Sequence, residues 1–203
     1  LWVAGGGVGD LTSWADALVS FGRLTGLVSA NLLLIQVLLM ARIPVVEKAY
    51  GQDELVHRHR LAGFWSFWLV VVHLVAITIG YALAARTNVF VQFWELVVDY
   101  PGMLLALAGT LLLVLTVVTS IRNARRKLRY ESWHLLHLYA YLGVGLAVPH
   151  MLWAGSDFVG NPVAIAYWWT LWAAAAGSIL LWRIGLPIVR SLRHDLRVAD
   201  VVR

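Results

Sequence analysis

Four histidines stand in two widely spaced pairs along this 203-residue chain. His59 and His73 are 14 residues apart, and His137 and His150 are 13 residues apart. On α-helices these separations correspond to rises of about 21 Å and about 20 Å. Imidazole is a frequent metal ligand, and an ionisable residue within an apolar run is costly unless it has a function. The spacing therefore predicts two ligand positions at different depths on each of two membrane helices.

The composition predicts a membrane protein. Hydrophobic residues make up 61% of the chain, charged residues make up 13%, and the mean hydropathy is +0.76. Five apolar runs each have about the 20 residues that cross a bilayer, where only a helix satisfies the backbone of a single span. The runs cover about residues 24–41, 61–85, 102–121, 135–154 and 162–182. We therefore expect an all-α fold, a polytopic transmembrane helical bundle with five spans in this chain.

The basic residues predict the orientation of this bundle. Fourteen of the 16 Lys and Arg residues lie in residues 42–60, 122–132 and 183–203, which share one side of a five-span protein. Because excess Lys and Arg marks the cytoplasmic side, we expect the N-terminus outside and the C-terminus in the cytoplasm. The net charge of +5 lies in these short loops, so it does not indicate a nucleic-acid partner.

This topology pairs the histidines in depth. The second and fourth helices run in the same direction, so His59 lies level with His137 near the cytoplasmic face, and His73 lies level with His150 near the outer face. The chain has no cysteine, and neither depth offers Asp or Glu to complete the four ligands typical of zinc. Haem iron needs only two axial ligands from the protein. We therefore expect two b-type haems, each held by two histidines.

Two features leave the ligand assignment open. His57 is an alternative to His59, and His134, one helical turn before His137, is an alternative to His137. In addition, 13 residues of ideal helix rotate a side chain by about 140° from its starting face, so the two histidines of the fourth helix do not share a face. Pro149 lies next to the second of them and can kink the helix there.

Arginines near the two pairs are candidate partners for haem propionates. Arg58, Arg60 and Arg129 lie near the inner pair, and Arg23 and Arg86 lie near the outer pair. Topology alone can explain basic residues on the cytoplasmic side. For the three inner arginines, a role in orientation without contact to a haem therefore remains an alternative. Positive charge is otherwise sparse on the outer side. We take Arg23 and Arg60 as the candidate cofactor-binding arginines.

At the histidine segments 59–73 and 133–150 the chain resembles a known family. It is similar to the ferric reductase-like transmembrane domain shared by ferric reductases, NADPH oxidases and related bacterial flavocytochromes, which has paired histidines at these two spacings. Residues 21–26 (FGRLTG), 41–44 (ARIP) and 119–122 (TSIR) add weaker support. The resemblance covers about residues 20–203.

The resemblance implies a fuller architecture. Such proteins usually have six helices followed by cytosolic flavin and nicotinamide domains, so a sixth helix is expected upstream of this chain. Residues 1–23 would be an extracytoplasmic segment, in which residues 11–22 form either a short interfacial helix or an irregular loop. Residues 24–186 would be the haem-binding transmembrane domain. Residues 187–203 would be the cytoplasmic lead-in to a flavin-binding β-barrel absent from this chain.

The function implied by the resemblance is that of an oxidoreductase in the bacterial plasma membrane. A cytoplasmic reductase domain would pass electrons from NAD(P)H through FAD to the two haems, and the haems would pass them to an external acceptor, either ferric iron or oxygen. In the oxidases of this family an arginine near the outer haem, together with a histidine one turn beyond the outer ligand, is associated with oxygen reduction. Arg23 fits the arginine by position, but Ile77 occupies the position at which the histidine is expected.

Two other hypotheses remain. The first is a haem-binding membrane subunit that has no flavin domain of its own and is fed by quinol or by a separate reductase. The second is a transporter or scaffold without haem, in which the histidines serve proton movement or packing. A transporter typically has broken helices or intramembrane acids, and the five apolar runs contain no Asp or Glu.

Overall fold

The computed structural model describes residues 1–158 and 161–194, and these form helices joined by short connections. Five helical stretches are long and apolar enough to cross a membrane, which confirms the predicted all-α fold and its number of spans. These stretches are Trp14–Leu39, Gln52–Ala85, Met103–Ser120, Tyr130–Ala154 and Pro162–Arg193. The predicted lead-in to a flavin-binding barrel falls mainly on residues 195–203, which lie outside the described residues.

The helices, in chain order, are α1 (Trp14–Leu39), α2 (Pro44–Tyr50), α3 (Gln52–Ala85), α4 (Val89–Asp99), α5 (Met103–Ser120), α6 (Arg122–Arg125), α7 (Tyr130–Leu146), α8 (Val148–Ala154), α9 (Pro162–Ser178) and α10 (Leu186–His194). A π-helical segment, Ile179–Gly185, joins α9 to α10. The short helices α2, α4 and α6 occupy the connections between spans.

Helix α1 begins ten residues before the apolar run that predicted it. Ser13 caps the helix, because its Oγ accepts a hydrogen bond from the backbone N–H of Asp16 at 3.2 Å. Residues 14–22 are therefore helical and continuous with the helix of the first span, while the predicted extracytoplasmic position of residues 1–23 stays a prediction. Arg23 consequently lies within a helix.

Helix α3 also begins early, at Gln52, because helix-forming polar residues precede its apolar part. Asp53 and Glu54 in the first turn favour a helix N-terminus electrostatically, and Glu54 pairs with Arg58 one turn later at 2.7 Å. As a result, one uninterrupted helix carries both His59 and His73.

The fourth span is interrupted between α7 and α8. Ala147 ends the first helix and caps the second, and Pro149 lies in the first turn of α8. Proline has no backbone N–H and its ring crowds the carbonyl four residues earlier, so a continuous helix is disfavoured at this point. The interruption lies between His137 and His150, where ideal helical geometry put the two side chains on different faces.

The chain forms two compact units, and Leu1–Ala30 and Trp65–Ala166 make up the first. Glycines allow its helices to pack closely. A Cβ on Gly109 of α5 would lie 2.5 Å from the carbonyl oxygen of Gly143, and a Cβ on Gly143 of α7 would lie 2.9 Å from that of Gly109. Small residues are common at such contacts because no side chain then separates the two backbones.

The second unit comprises Asn31–Phe64 and the described residues from Tyr167 onward. Trp168 is its largest fully buried side chain. The Tyr167 hydroxyl donates a hydrogen bond to Oδ1 of Asn31 at 2.6 Å, and Nη1 of Arg183 donates one to the carbonyl of Met40 at 2.7 Å. The first contact joins α9 to α1, and the second joins the π-helical segment to the residue that follows α1.

Candidate metal centres

His73 lies against helix α1 in the first unit. Its Nδ1 is 2.7 Å from the carbonyl oxygen of Gly22. A Cβ on Gly26, one turn further along α1, would lie 2.6 Å from the same nitrogen. Gly22 has the same relationship to Ile77, whose Cγ1 would be 2.8 Å from an added Cβ. Two glycines four residues apart thus receive two side chains four residues apart on α3, which fixes the His73 ring against α1.

His150 is held by its own helix and by the start of α5. Its Nδ1 is 2.6 Å from the carbonyl oxygen of Ala147, the residue at the break in the fourth span. Gly102, with φ of 81°, caps α5, and a Cβ there would lie 2.7 Å from the backbone nitrogen of His150. The break supplies the acceptor for the ring, and the glycine lets the backbone of α8 approach α5.

His73 and His150 both belong to the first unit, and each ring is half-buried. The sequence paired these two histidines by depth alone. The structure places both in one compact unit, while their pairing as ligands stays a prediction.

His59 belongs to the second unit. Its Nδ1 is 3.1 Å from the carbonyl oxygen of Gln36 on α1. A Cβ on Gly63, one turn later on α3, would lie 2.9 Å from the side-chain oxygen of Gln36, so this contact is also close. Arg60, the next residue on α3, is exposed, and its role at a cofactor stays a prediction.

His137 belongs to the first unit and lies beside the end of α5. Its Nδ1 is 3.2 Å from the hydroxyl oxygen of Ser120. The indole of Trp133, one turn earlier on α7, is 5.0 Å from the imidazole between ring centroids. The Nε1–H of the same indole donates to the Ser120 hydroxyl at 3.4 Å. Ser120 and Trp133 together fix the orientation of this ring.

All four predicted ligands have Nδ1 close to an oxygen, and for three of them that oxygen belongs to a backbone carbonyl. A carbonyl oxygen can only accept a hydrogen bond, so Nδ1 carries the proton in His59, His73 and His150. The lone pair of each neutral ring is then on Nε2. Metal-binding histidines almost always donate their other ring N–H to a carbonyl, a carboxylate or water, because that bond fixes the tautomer and strengthens the ligand.

The two rival histidines have different surroundings. His57 is exposed on α3. His134 stacks on Tyr130 with ring centroids 5.9 Å apart and an angle of 8° between the ring planes. Each of the four predicted ligands has Nδ1 close to an oxygen. This common feature favours His59 over His57, and His137 over His134.

Arg23 is bound by carboxylates. Its Nη2 and Nε donate to the two oxygens of Asp157 at 2.7 Å and 3.1 Å, and its Nη1 donates to Asp10 at 2.6 Å. The Nη2 also donates to the carbonyl of Gly5 at 3.2 Å. The structure thus gives this guanidinium partners within the protein where the sequence predicted a haem propionate. Sequence reasoning missed Asp157, because a single acid in a loop carries no motif.

The donor set suits haem iron better than a metal held by protein alone. Within residues 1–158 and 161–194, no three histidine or acidic side chains come together as a metal-binding group. Haem needs only two axial nitrogens, and half-buried imidazoles with a fixed Nδ1–H are suitable donors. The chemistry of these imidazoles therefore fits axial ligation of haem, while the pairing of the ligands stays a prediction.

Comparison with known proteins gives a consistent result. Residues 25–148 match the family described as ferric reductase like transmembrane component. Three similar proteins are each called protein-methionine-sulfoxide reductase heme-binding subunit MsrQ. That of Xanthomonas campestris pv. campestris (strain B100) is 28% identical over 170 residues, covering 84% of this chain and 71% of the relative.

Two further relatives of that name are slightly more similar. That of Cronobacter sakazakii (strain ATCC BAA-894) is 30% identical over 171 residues, covering 83% of this chain and 77% of the relative. That of Pectobacterium carotovorum subsp. carotovorum (strain PC1) is 31% identical over 148 residues, covering 72% and 69%. No solved structure matches the chain with significance. The five apolar spans and these matches agree with the resemblance seen in the sequence: the chain is an integral membrane protein that belongs to the ferric reductase like transmembrane component family.

Proposed function

We propose that this protein is a haem-binding membrane subunit that carries electrons across the bilayer between two separate redox partners. The observation that carries the proposal is the shared geometry of four histidines, each of which has Nδ1 within 3.2 Å of an oxygen. Three of these oxygens are backbone carbonyls. This is the arrangement expected of ligands that present Nε2 to a metal.

His73 and His150 would supply both axial nitrogens of one b-type haem, and their presence in one compact unit supports this pairing. His59 and His137 would supply those of a second haem, a pairing that rests on sequence spacing and topology. Bound haem would supply a one-electron iron couple whose two axial positions are both filled, which suits electron transfer.

The protein's own residues would hold and insulate these groups. The carbonyls of Gly22, Gln36 and Ala147 fix the tautomer and the direction of three ligands, so little rearrangement accompanies a change of iron charge. The apolar spans would exclude water from the haems. This exclusion and these hydrogen bonds together would tune the reduction potential of the haem iron. Residues 42–60, 122–132 and the basic C-terminal segment would lie on the cytoplasmic side.

Two hypotheses differ in the source of electrons. A fused flavocytochrome would carry its own FAD and NAD(P)H domains, and the argument for it rests on residues 193–203, most of which lie outside the described residues. The relatives are named as heme-binding subunits of a reductase, which favours the hypothesis of a subunit fed by quinol or by a separate reductase. We adopt that hypothesis.

The names of the relatives also suggest the acceptor. They describe a subunit of a protein-methionine-sulfoxide reductase, so we propose that the electrons leave to a separate catalytic subunit of that kind on the outer side. In that case the present chain itself binds no methionine sulfoxide. Ferric iron or oxygen would be reduced only as a side reaction.

The test is an optical spectrum of the detergent-purified chain, oxidised and then reduced with dithionite, with haem quantified as the pyridine haemochrome. We expect the α-band of a b-type cytochrome and two haems per chain. His73→Ala and His150→Ala should each remove the same haem, and His59→Ala and His137→Ala should each remove the other. His57→Ala and His134→Ala are matched controls on the same helices and should retain both.

Folded, haem-supplied protein without a Soret band would overturn the proposal and would favour the transporter or scaffold. Loss of haem in the His57→Ala or His134→Ala variant, with retention in His59→Ala or His137→Ala, would overturn the ligand assignment alone. To identify the electron source, the reduced membrane protein is reoxidised and then offered NADH with a soluble flavin reductase, or quinol. In native membranes that contain the whole protein, reduction of the haems by NADH without an added reductase would favour the fused flavocytochrome.

A further inference from the structure

Arg23 and Asp157 form an ion pair between two segments that are far apart in sequence. The guanidinium and the carboxylate share two hydrogen bonds, at 2.7 Å and 3.1 Å, across 134 residues of chain. The Arg23 side chain is 15% exposed and that of Asp157 is 5% exposed, so the pair is largely shielded from water. Such a bidentate contact fixes direction as well as distance.

Each member of this pair lies close in sequence to the support of a candidate haem ligand. Arg23 directly follows Gly22, whose carbonyl oxygen is 2.7 Å from Nδ1 of His73. Asp157 follows His150 by seven residues, just after α8 ends at Ala154. The pair therefore connects the turn of α1 that orients one ligand to the segment that follows the helix of the other.

The charge at this position does not favour a propionate. One guanidinium faces two carboxylates, those of Asp157 and Asp10, so the cluster has a formal excess of negative charge. A haem propionate would add a further anion and would have to displace a paired carboxylate that is only 5% exposed. Both effects disfavour Arg23 as a propionate partner.

We infer that Arg23 and Asp157 are positioning residues, which hold His73 and His150 in the relative orientation that one haem requires. This inference rests on the proposed function, because it assigns the two ligands to a single haem. Neither residue touches the iron. Their effect passes through the carbonyl of Gly22 to His73, and through the segment after α8 to His150.

Asp10 provides a matched control for Asp157. It binds the same guanidinium at 2.6 Å, but its side chain is 46% exposed and it belongs to the N-terminal segment, not to the segment that follows His150. Exposed ion pairs contribute little, since water and salt screen them. Neutralising Asp10 therefore changes the charge at Arg23 while leaving the connection between the two ligand segments in place.

The experiment compares the wild-type chain with Asp157→Asn, Asp10→Asn and Arg23→Lys, all purified with haem. Haem per chain is measured together with the electron paramagnetic resonance spectrum of the ferric protein, whose low-spin signals depend on the angle between the two axial imidazole planes. A His73→Ala variant identifies which signal belongs to the His73 and His150 haem. The signal of the other haem shows, in the same sample, that the protein is folded.

We expect Asp157→Asn to shift or broaden the His73-dependent signal and to lower haem affinity at that site about 10-fold, the lower end of the range for residues that orient metal ligands. Arg23→Lys should do the same to a smaller degree, because lysine keeps the charge but cannot form the bidentate contact. Asp10→Asn should resemble the wild type. If Asp157→Asn also abolishes the signal of the other haem, that variant is not properly folded, and Arg23→Lys then provides the test of the inference.

Two haems with unchanged signals in both Asp157→Asn and Arg23→Lys would overturn the inference and leave the proposed function intact. An equal effect of Asp10→Asn and Asp157→Asn would also overturn it, since charge at Arg23 and not the link to the His150 segment would then matter. A wild-type chain without haem absorption would instead overturn the proposed function.

Discussion

A Cβ atom on Gly26 would lie 2.6 Å from Nδ1 of His73, so the ring of a candidate haem ligand rests directly on the backbone of another helix. The same ring nitrogen is 2.7 Å from the carbonyl of Gly22. One glycine supplies the hydrogen-bond acceptor and the other supplies the room to reach it. The ring is therefore oriented by the close approach of α1 and α3.

Replacement of Gly26 by alanine should displace His73. The added methyl overlaps the ring, which has to move away from Gly22 and lose its hydrogen bond, so we expect loss of the haem that depends on His73 and a destabilisation of about 1–3 kcal/mol. Haem per chain and thermal unfolding measure the two effects. Gly145→Ala is the control, because a Cβ at Gly145 would meet no atom within 4 Å. Retention of both haems in Gly26→Ala would show that the ring does not depend on this contact.

Replacement of Gly102 by alanine should be more harmful than the same change at Gly51. Both glycines have positive φ, 81° and 76°, where an L-residue is strained by about 1–2 kcal/mol. Only at Gly102 would the new Cβ also meet another segment, the backbone of His150 at 2.7 Å, whereas a Cβ on Gly51 would meet nothing within 4 Å.

Thermal unfolding of Gly102→Ala and Gly51→Ala separates the two effects. The strain common to both should lower the stability of each variant, and the additional loss in Gly102→Ala measures the contact with α8. Haem that depends on His150 should be lost only in Gly102→Ala. Equal stabilities of the two variants would mean that α5 and α8 separate at little cost.

Replacement of Ser120 by alanine should weaken the site of His137. The hydroxyl is 3.2 Å from Nδ1 of that ring, and residues that orient ligands in this way typically change metal affinity by about 10–100-fold. We expect a lower affinity for the second haem, a shifted midpoint potential, or both, measured by haem titration and by spectroscopic redox titration. Thr119→Ala is the matched control, since the Thr119 hydroxyl bonds carbonyls of its own helix. An effect as large in Thr119→Ala would point to a general loosening of the end of α5.

The sequence predicted the number of spans correctly, but it did not predict the residues at which their helices begin. Apolar runs locate the hydrocarbon-crossing part of each helix, but α1 and α3 begin ten and nine residues earlier, where a cap at Ser13 and acidic residues in the first turns support them. Pro149 indicated a kink near the break at Ala147, because proline disrupts a helix when it lies in the helix interior. That the break would provide the acceptor for His150 was not visible, because it depends on the direction of one carbonyl.

The sequence by itself determined that this is a membrane protein of five spans with histidines at two depths, since hydrocarbon thickness and helical rise depend only on composition and spacing. Tertiary structure decided how those histidines are held. The acceptors of His59 and His73 come from α1, and the partner of Arg23 comes from a residue 134 positions away. Contacts of this kind depend on which helix faces pack together, and one sequence read by its periodicity does not specify that packing. For the same reason the sequence did not show that Arg23, predicted as a propionate partner, is paired with Asp157 within the protein.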